Sequence, residues 1–96
     1  MSPHKRKKLS KIRSELDKLD NTLIKVIKKR TVLVNKVLAL KDKKNQRVDQ
    51  RRINLNLKKI KKKSIQNKID PKITNRIWKN MIWSYIDYEK RNFKKR

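Results

Sequence analysis

Apolar residues recur along the first part of the chain at Leu9, Ile12, Leu16, Leu19, Leu23, Val26, Leu33, Val37 and Leu40. With Arg30 filling the slot between Val26 and Leu33, the steps alternate three and four, the spacing of a helix-packing stripe. The pattern predicts a long first helix from Leu9 to Lys41, followed by a charged connection from Asp42 to Val48. Asp49 reads as the N-cap of a shorter helix whose inner face is Ile53, Leu57 and Ile60. Asn67-Lys68-Ile69 leads to Asp70-Pro71, a capping side chain followed by proline at the first helical position. The third helix then carries Ile73, Ile77, Met81 and Tyr88 on one side, and Trp78, Ile82, Tyr85 and Glu89 on an adjoining stripe. Trp78 and Trp83 read as core aromatics. The expected fold is all-α, with three helices per chain and a long first helix.

Arg30 is the one position of the long stripe that is not apolar. A guanidinium there loses hydration once a second helix covers it, so it either fixes register or holds an anion. Arg13 and Lys41 each directly follow a stripe residue. Lys41 stands about three turns beyond Arg30 and points the same way, whereas Arg13 lies roughly 40 Å from Lys41 along a straight helix. No small ligand spans that distance. If the three cations serve one site, Arg13 comes from a second chain running antiparallel, and the two long helices cross near Leu23 and Ile24. An antiparallel homodimer is the expected assembly.

Composition narrows the chemistry. The 96 residues are 34% hydrophobic and 42% charged, enough for one domain but poor in material for a private core, which again favours association. The expected organisation is a basic N-terminal tail over 1–8, one helical domain over 9–93 and a basic C-terminal tail over 94–96, fraying from Lys90. There is no glycine for phosphate-cradling loops, no cysteine, and one histidine, His4, in the basic leading segment. Zinc clusters, thiol chemistry and histidine base catalysis are therefore not expected, nor is a cofactor. No uninterrupted apolar run follows the basic start, so no secretory signal or membrane span is expected and the chain reads as cytoplasmic. The net charge of +24 points to nucleic acid, but lysines occur on every segment alongside abundant Asn and Ile, a pattern for which a biased genome can supply much of the basicity without functional demand. Lys58-Lys59 and Lys61-Lys62-Lys63 read as a solvated face. Nucleic acid is thus not the expected functional partner; a basic helical nucleic-acid-binding dimer is the alternative.

The chain resembles the all-helical chorismate mutases, the type II or AroQ class. The resemblance rests on Leu9-Ser-Lys-Ile-Arg-Ser-Glu-Leu-Asp-Lys-Leu-Asp, Lys29-Arg30, Val34 through Lys41, Asp49-x-x-Arg52, Asp70-Pro71, and Ile77-Trp78 to Glu89. It implies an intertwined homodimer of three-helix chains and an isomerase that converts chorismate to prephenate, in the shikimate route to aromatic amino acids. By position it makes Arg30, and Arg13 from the partner chain, anchors for the substrate carboxylates. It makes Lys41 and Glu89 the catalytic contacts to the ether oxygen, and Asp49 and Arg52 further substrate contacts. Two positions depart from the family pattern. Ile53 stands where a glutamate usually meets the substrate hydroxyl, and Tyr85 replaces a serine near a substrate carboxylate, far bulkier but retaining a hydroxyl, so that Tyr85 is still expected among the substrate-binding residues. Ile53 is the best support for a third reading, a degenerate mutase fold with a binding role.

Overall fold

The computed structural model describes residues 1–40 and 48–93. Three helices occupy almost all of them: α1 over Pro3–Leu40, α2 over Gln50–Gln66 and α3 over Pro71–Phe93. The predicted connection from Asp42 to Val48 falls mostly outside the described residues, as do Lys41 and the tail 94–96. Among the described residues no helix is long and apolar enough to cross a membrane. The chain divides into two compact units, Met1–Ala39 and Leu40–Arg96.

The first unit is α1, which starts six residues earlier than the apolar stripe predicts. The segment read as a basic tail forms its first turns. Ser2 caps it: the Lys5 amide donates to Ser2 Oγ at 3.3 Å and the Arg6 amide to the Ser2 carbonyl at 2.9 Å. Pro3 at the first helical position surrenders no intrahelical hydrogen bond. Farther along, Thr22 and Thr31 donate their hydroxyls back to the carbonyls of Lys18 and Ile27, so these β-branched polar residues are accommodated without interrupting the helix. The packing stripe is solvent-facing. Ile12, Leu16, Leu19, Leu23, Val26, Leu33 and Val37 are all exposed, and Leu38 is the buried residue of the helix.

The second unit is an antiparallel pair, α2 packed on α3. Asp49 caps α2 as predicted, its Oδ1 accepting the Arg52 amide at 3.1 Å. Asp70 caps α3, its Oδ1 accepting the Lys72 amide at 2.9 Å, with Pro71 as the first helical residue. Between them the chain turns without glycine. Asn67 ends α2, and Lys68 takes the left-handed conformation at φ 58°. The Lys68 amide then donates to the Ile65 carbonyl at 3.1 Å and the Ile69 amide to the Ser64 carbonyl at 2.9 Å. This is a Schellman closure that normally has glycine at the left-handed position.

A polar pin locks the closed end of the pair. Ser64, 3% exposed, donates to the Ile60 carbonyl at 2.6 Å and lies 2.6 Å from the Thr74 hydroxyl. With the Ser64 proton committed to Ile60, the Thr74 hydroxyl supplies the proton between them, and its 3.3 Å approach to the Pro71 carbonyl is the weaker contact. The pin also sets the register. Residues a given number of positions before Ser64 stand level with those the same number after Thr74, because both helices rise equally per residue. Ile60 is thus level with Trp78, Leu57 with Met81, and Ile53 with Tyr85. Ile53 is buried, while Leu57, Ile60, Trp78, Ile82 and Tyr85 are half-buried.

Of the side carrying Ile73, Ile77, Met81 and Tyr88, the two isoleucines are 56% and 52% exposed while Met81 and Tyr88 are half-buried. Two expectations for α3 need correction. Trp83, read as core, is 49% exposed. The packed face is the adjoining stripe of Trp78, Ile82, Tyr85 and Glu89, because the Ser64–Thr74 contact rotates that side of α3 toward α2. The C-terminal end also holds its helix through Phe93 rather than fraying from Lys90; Arg91 Nε pairs with Asp87 Oδ2 one turn back at 2.9 Å.

Candidate active site

The predicted site residues fall into three groups. Asp49, Arg52, Tyr85 and Glu89 all belong to the second unit. In the register set by Ser64 and Thr74, Asp49 is level with Glu89, so these four residues gather at the open end of the α2–α3 pair. Arg13 and Arg30 lie on α1. Lys41 lies outside the described residues.

At the open end of the pair, Asp49 and Arg52 are exposed, and Tyr85 and Glu89 are half-buried. The Asp49 cap spends one carboxylate oxygen on the Arg52 amide, which fixes the first turn of α2 and the origin of the Arg52 side chain. Tyr85 meets Tyr88 edge to face, ring centroids 6.3 Å apart, a geometry that limits ring rotation. Ile53 is 8% exposed, directly after Arg52. Its side chain belongs to the packed face of α2, so this position offers a polar ligand nothing. The serine nearest Tyr85, Ser84, is exposed and donates to the Asn80 carbonyl one turn back at 2.6 Å.

On α1, Arg30 sits in the apolar stripe as its spacing predicts, and the stripe around it is open to solvent. Desolvation of the guanidinium therefore requires a second surface over the stripe. Arg13 lines a shallow concavity with Arg6, Leu9, Ser10, Ser14 and Asp17, all on the same helix. One helix furnishes only one wall, so this concavity encloses a ligand only when another surface faces it.

The chorismate mutase type II family matches residues 12–90, a span that includes all seven predicted site positions. The chain belongs to this family. It is accordingly an isomerase of the chorismate mutase kind, linked to aromatic amino acid biosynthesis, and the family's all-α architecture agrees with the three helices described. No curated protein and no solved structure matches the chain significantly. The match begins nine residues after the start of α1, so the basic first turns of that helix precede the region aligned with the family.

The sequence reading missed two structural supports of the site. Ser2-Pro3 carries the same cap-and-proline signal as Asp70-Pro71, yet the absence of apolar residues beside it hid the helix start. The Ser64–Thr74 pin had no sequence signal of its own, because two hydroxyls ten residues apart become partners only after the chain turns.

Proposed function

We propose that two copies of this chain pair through antiparallel α1 helices and convert chorismate to prephenate in two equivalent cationic pockets. Each pocket takes Arg13 from one chain and Arg30, Lys41, Asp49, Arg52, Tyr85 and Glu89 from the other. The observation that carries this reading is the continuity of α1. It is one unbroken helix from Pro3 to Leu40, so Arg13 and Arg30 of a single chain stand about 26 Å apart. A dianion the size of chorismate meets both cations only if they come from different chains.

The chemistry suits the residues. The rearrangement is intramolecular: the ether carbon–oxygen bond breaks as a carbon–carbon bond forms, and the reaction consumes no nucleophile, metal or external proton. The protein has to hold the compact conformer and stabilise negative charge growing on the ether oxygen. Arg13 and Arg30 suit the two carboxylates because a guanidinium can pair with both oxygens of each. Lys41 offers the ether oxygen a compact positive charge, and Glu89 offers it a hydrogen bond when protonated. The Asp49 cap holds the start of α2, leaving its second oxygen for the substrate hydroxyl, while Arg52 and the Tyr85 hydroxyl extend the polar lining. The absence of a membrane-spanning helix among the described residues suits a cytoplasmic site of action.

A spectrophotometric assay of chorismate loss tests the activity, and subunit exchange tests the shared pocket. Arg13→Ala and Lys41→Ala chains should each lose activity, on the order of 10²- to 10³-fold for a lost donor. Mixed chains should recover it, because one site of each hybrid dimer regains both residues. Proven exchange without recovery would place the cations in separate roles. No turnover by the purified wild type would favour the degenerate mutase fold with a binding role.

A further inference from the structure

The chain's positive charge occurs on every segment, but the structure singles out one cationic face that also carries an aromatic. On α3, Lys72, Arg76, Lys79, Trp83 and Lys90 follow one another at steps of four, three, four and seven, and so share one side of the helix. All five are exposed. Trp83, at 49%, is the exposed aromatic among the described residues, whereas Trp78, Tyr85 and Tyr88 are half-buried. The acid bordering this face, Asp87, is paired with Arg91 at 2.9 Å, and among the described residues no carboxylate pairs with the four stripe cations. The stripe faces away from α2, on the side of α3 opposite Trp78, Tyr85 and Glu89, and none of its members belongs to the proposed chorismate pocket.

We infer that this outer face of α3 binds single-stranded nucleic acid, the cations contacting phosphates while Trp83 stacks on an unpaired base. The stripe spans about 27 Å from Lys72 to Lys90, room for a strand of a few nucleotides. A run of cations attracts any polyanion, but an indole set among them adds a flat apolar surface that only a base can use in full. An anionic membrane surface fits less well. An interfacial helix buries a broad apolar face, and this one presents a single large apolar residue among charges. The basic run of α2, with Lys58, Lys59, Lys61, Lys62 and Lys63, has no aromatic and serves as an internal control of similar charge.

The test uses the full chain and a fluorescein-labelled fifteen-nucleotide oligouridylate, with oligothymidylate, a duplex of the same length and heparin as comparators. Trp83→Ala should weaken binding of the single strands about tenfold, within the range for loss of one stacked base. Lys72, Arg76 and Lys79 changed together to Gln should weaken it more than the same change at Lys61, Lys62 and Lys63. In a Trp78→Phe background, Trp83 fluorescence should be quenched by both single strands and left unchanged by heparin. Chorismate turnover should stay within a few-fold of wild type in the Trp83 and α3 lysine variants. Equal losses from the two triple variants, equal affinity for the duplex, or a Trp83 response to phosphatidylglycerol vesicles but not to the oligonucleotides would each overturn the assignment.

Discussion

Glu89 shows how much a single side chain's chemistry can depend on its protonation. It lies half-buried on the face of α3 that meets α2, level with the start of that helix. As a carboxylate it would repel the charge that grows on the ether oxygen; as an acid it donates a hydrogen bond there. Glu89→Gln, a permanent donor of similar shape, should therefore turn chorismate over at least as fast as the wild type, whereas Glu89→Ala should lose about 10²- to 10³-fold in rate. Wild-type turnover by the alanine variant would remove Glu89 from the ether-oxygen contact. Ile53 is the opposite case, a departure from the family pattern with a clear structural use. Its aliphatic side chain packs in the pair whose end carries the proposed site.

At the scale of the elements, the α2–α3 pair is held by caps, a turn and a hydroxyl pin, and its weakest local feature is Lys68. A side chain with a Cβ in the left-handed region costs about 1–2 kcal/mol, part of which glycine returns as lost backbone entropy in the folded state. Lys68→Gly should raise the free energy of unfolding by about 1 kcal/mol. Lys68→Ala, which keeps the Cβ, should leave it nearly unchanged. Denaturant titration of the three proteins checks both expectations, and equal stability of the glycine and alanine variants would show that the turn carries no such strain. A rigid pair matters for chemistry because Asp49 and Arg52 on α2 keep their positions relative to Tyr85 and Glu89 on α3 only as well as the two helices keep register.

For the molecule as a whole, the decisive quantity is the apolar surface that one chain leaves in water. Among the described residues Leu38 and Ile53 are the buried apolar ones, while Leu23 and Ile24, where antiparallel α1 helices would cross, are 57% and 65% exposed. In the proposed dimer a two-fold axis near Leu23 would bring each substitution there into the interface twice. Leu23→Lys removes two apolar contacts worth at least about 1.5 kcal/mol each and sets two like charges face to face. The dimer dissociation constant should rise by about 100-fold or more. Sedimentation equilibrium measures this directly, and chorismate turnover per chain should fall in parallel at dilute protein. An unchanged association constant would move the interface elsewhere on the chain.

The helices were legible because their signals are local. Three-and-four spacing marked α1, Asp49 marked the start of α2, and Asp70-Pro71 marked α3, since caps and periodicity act within a turn or two of chain. Arg30 stood out for the same reason, as a charge in an otherwise apolar stripe, and the family resemblance supplied roles for its neighbours. The working face of α3 was a different matter. Two apolar stripes compete on that helix, and periodicity cannot choose between stripes related by a small rotation. The contact between Ser64 and Thr74 makes the choice, turning Trp78, Tyr85 and Glu89 toward α2 and leaving Ile73, Ile77 and Trp83 in solvent. Rotation about a helix axis costs little until a neighbour packs against it, so this was decided by tertiary structure.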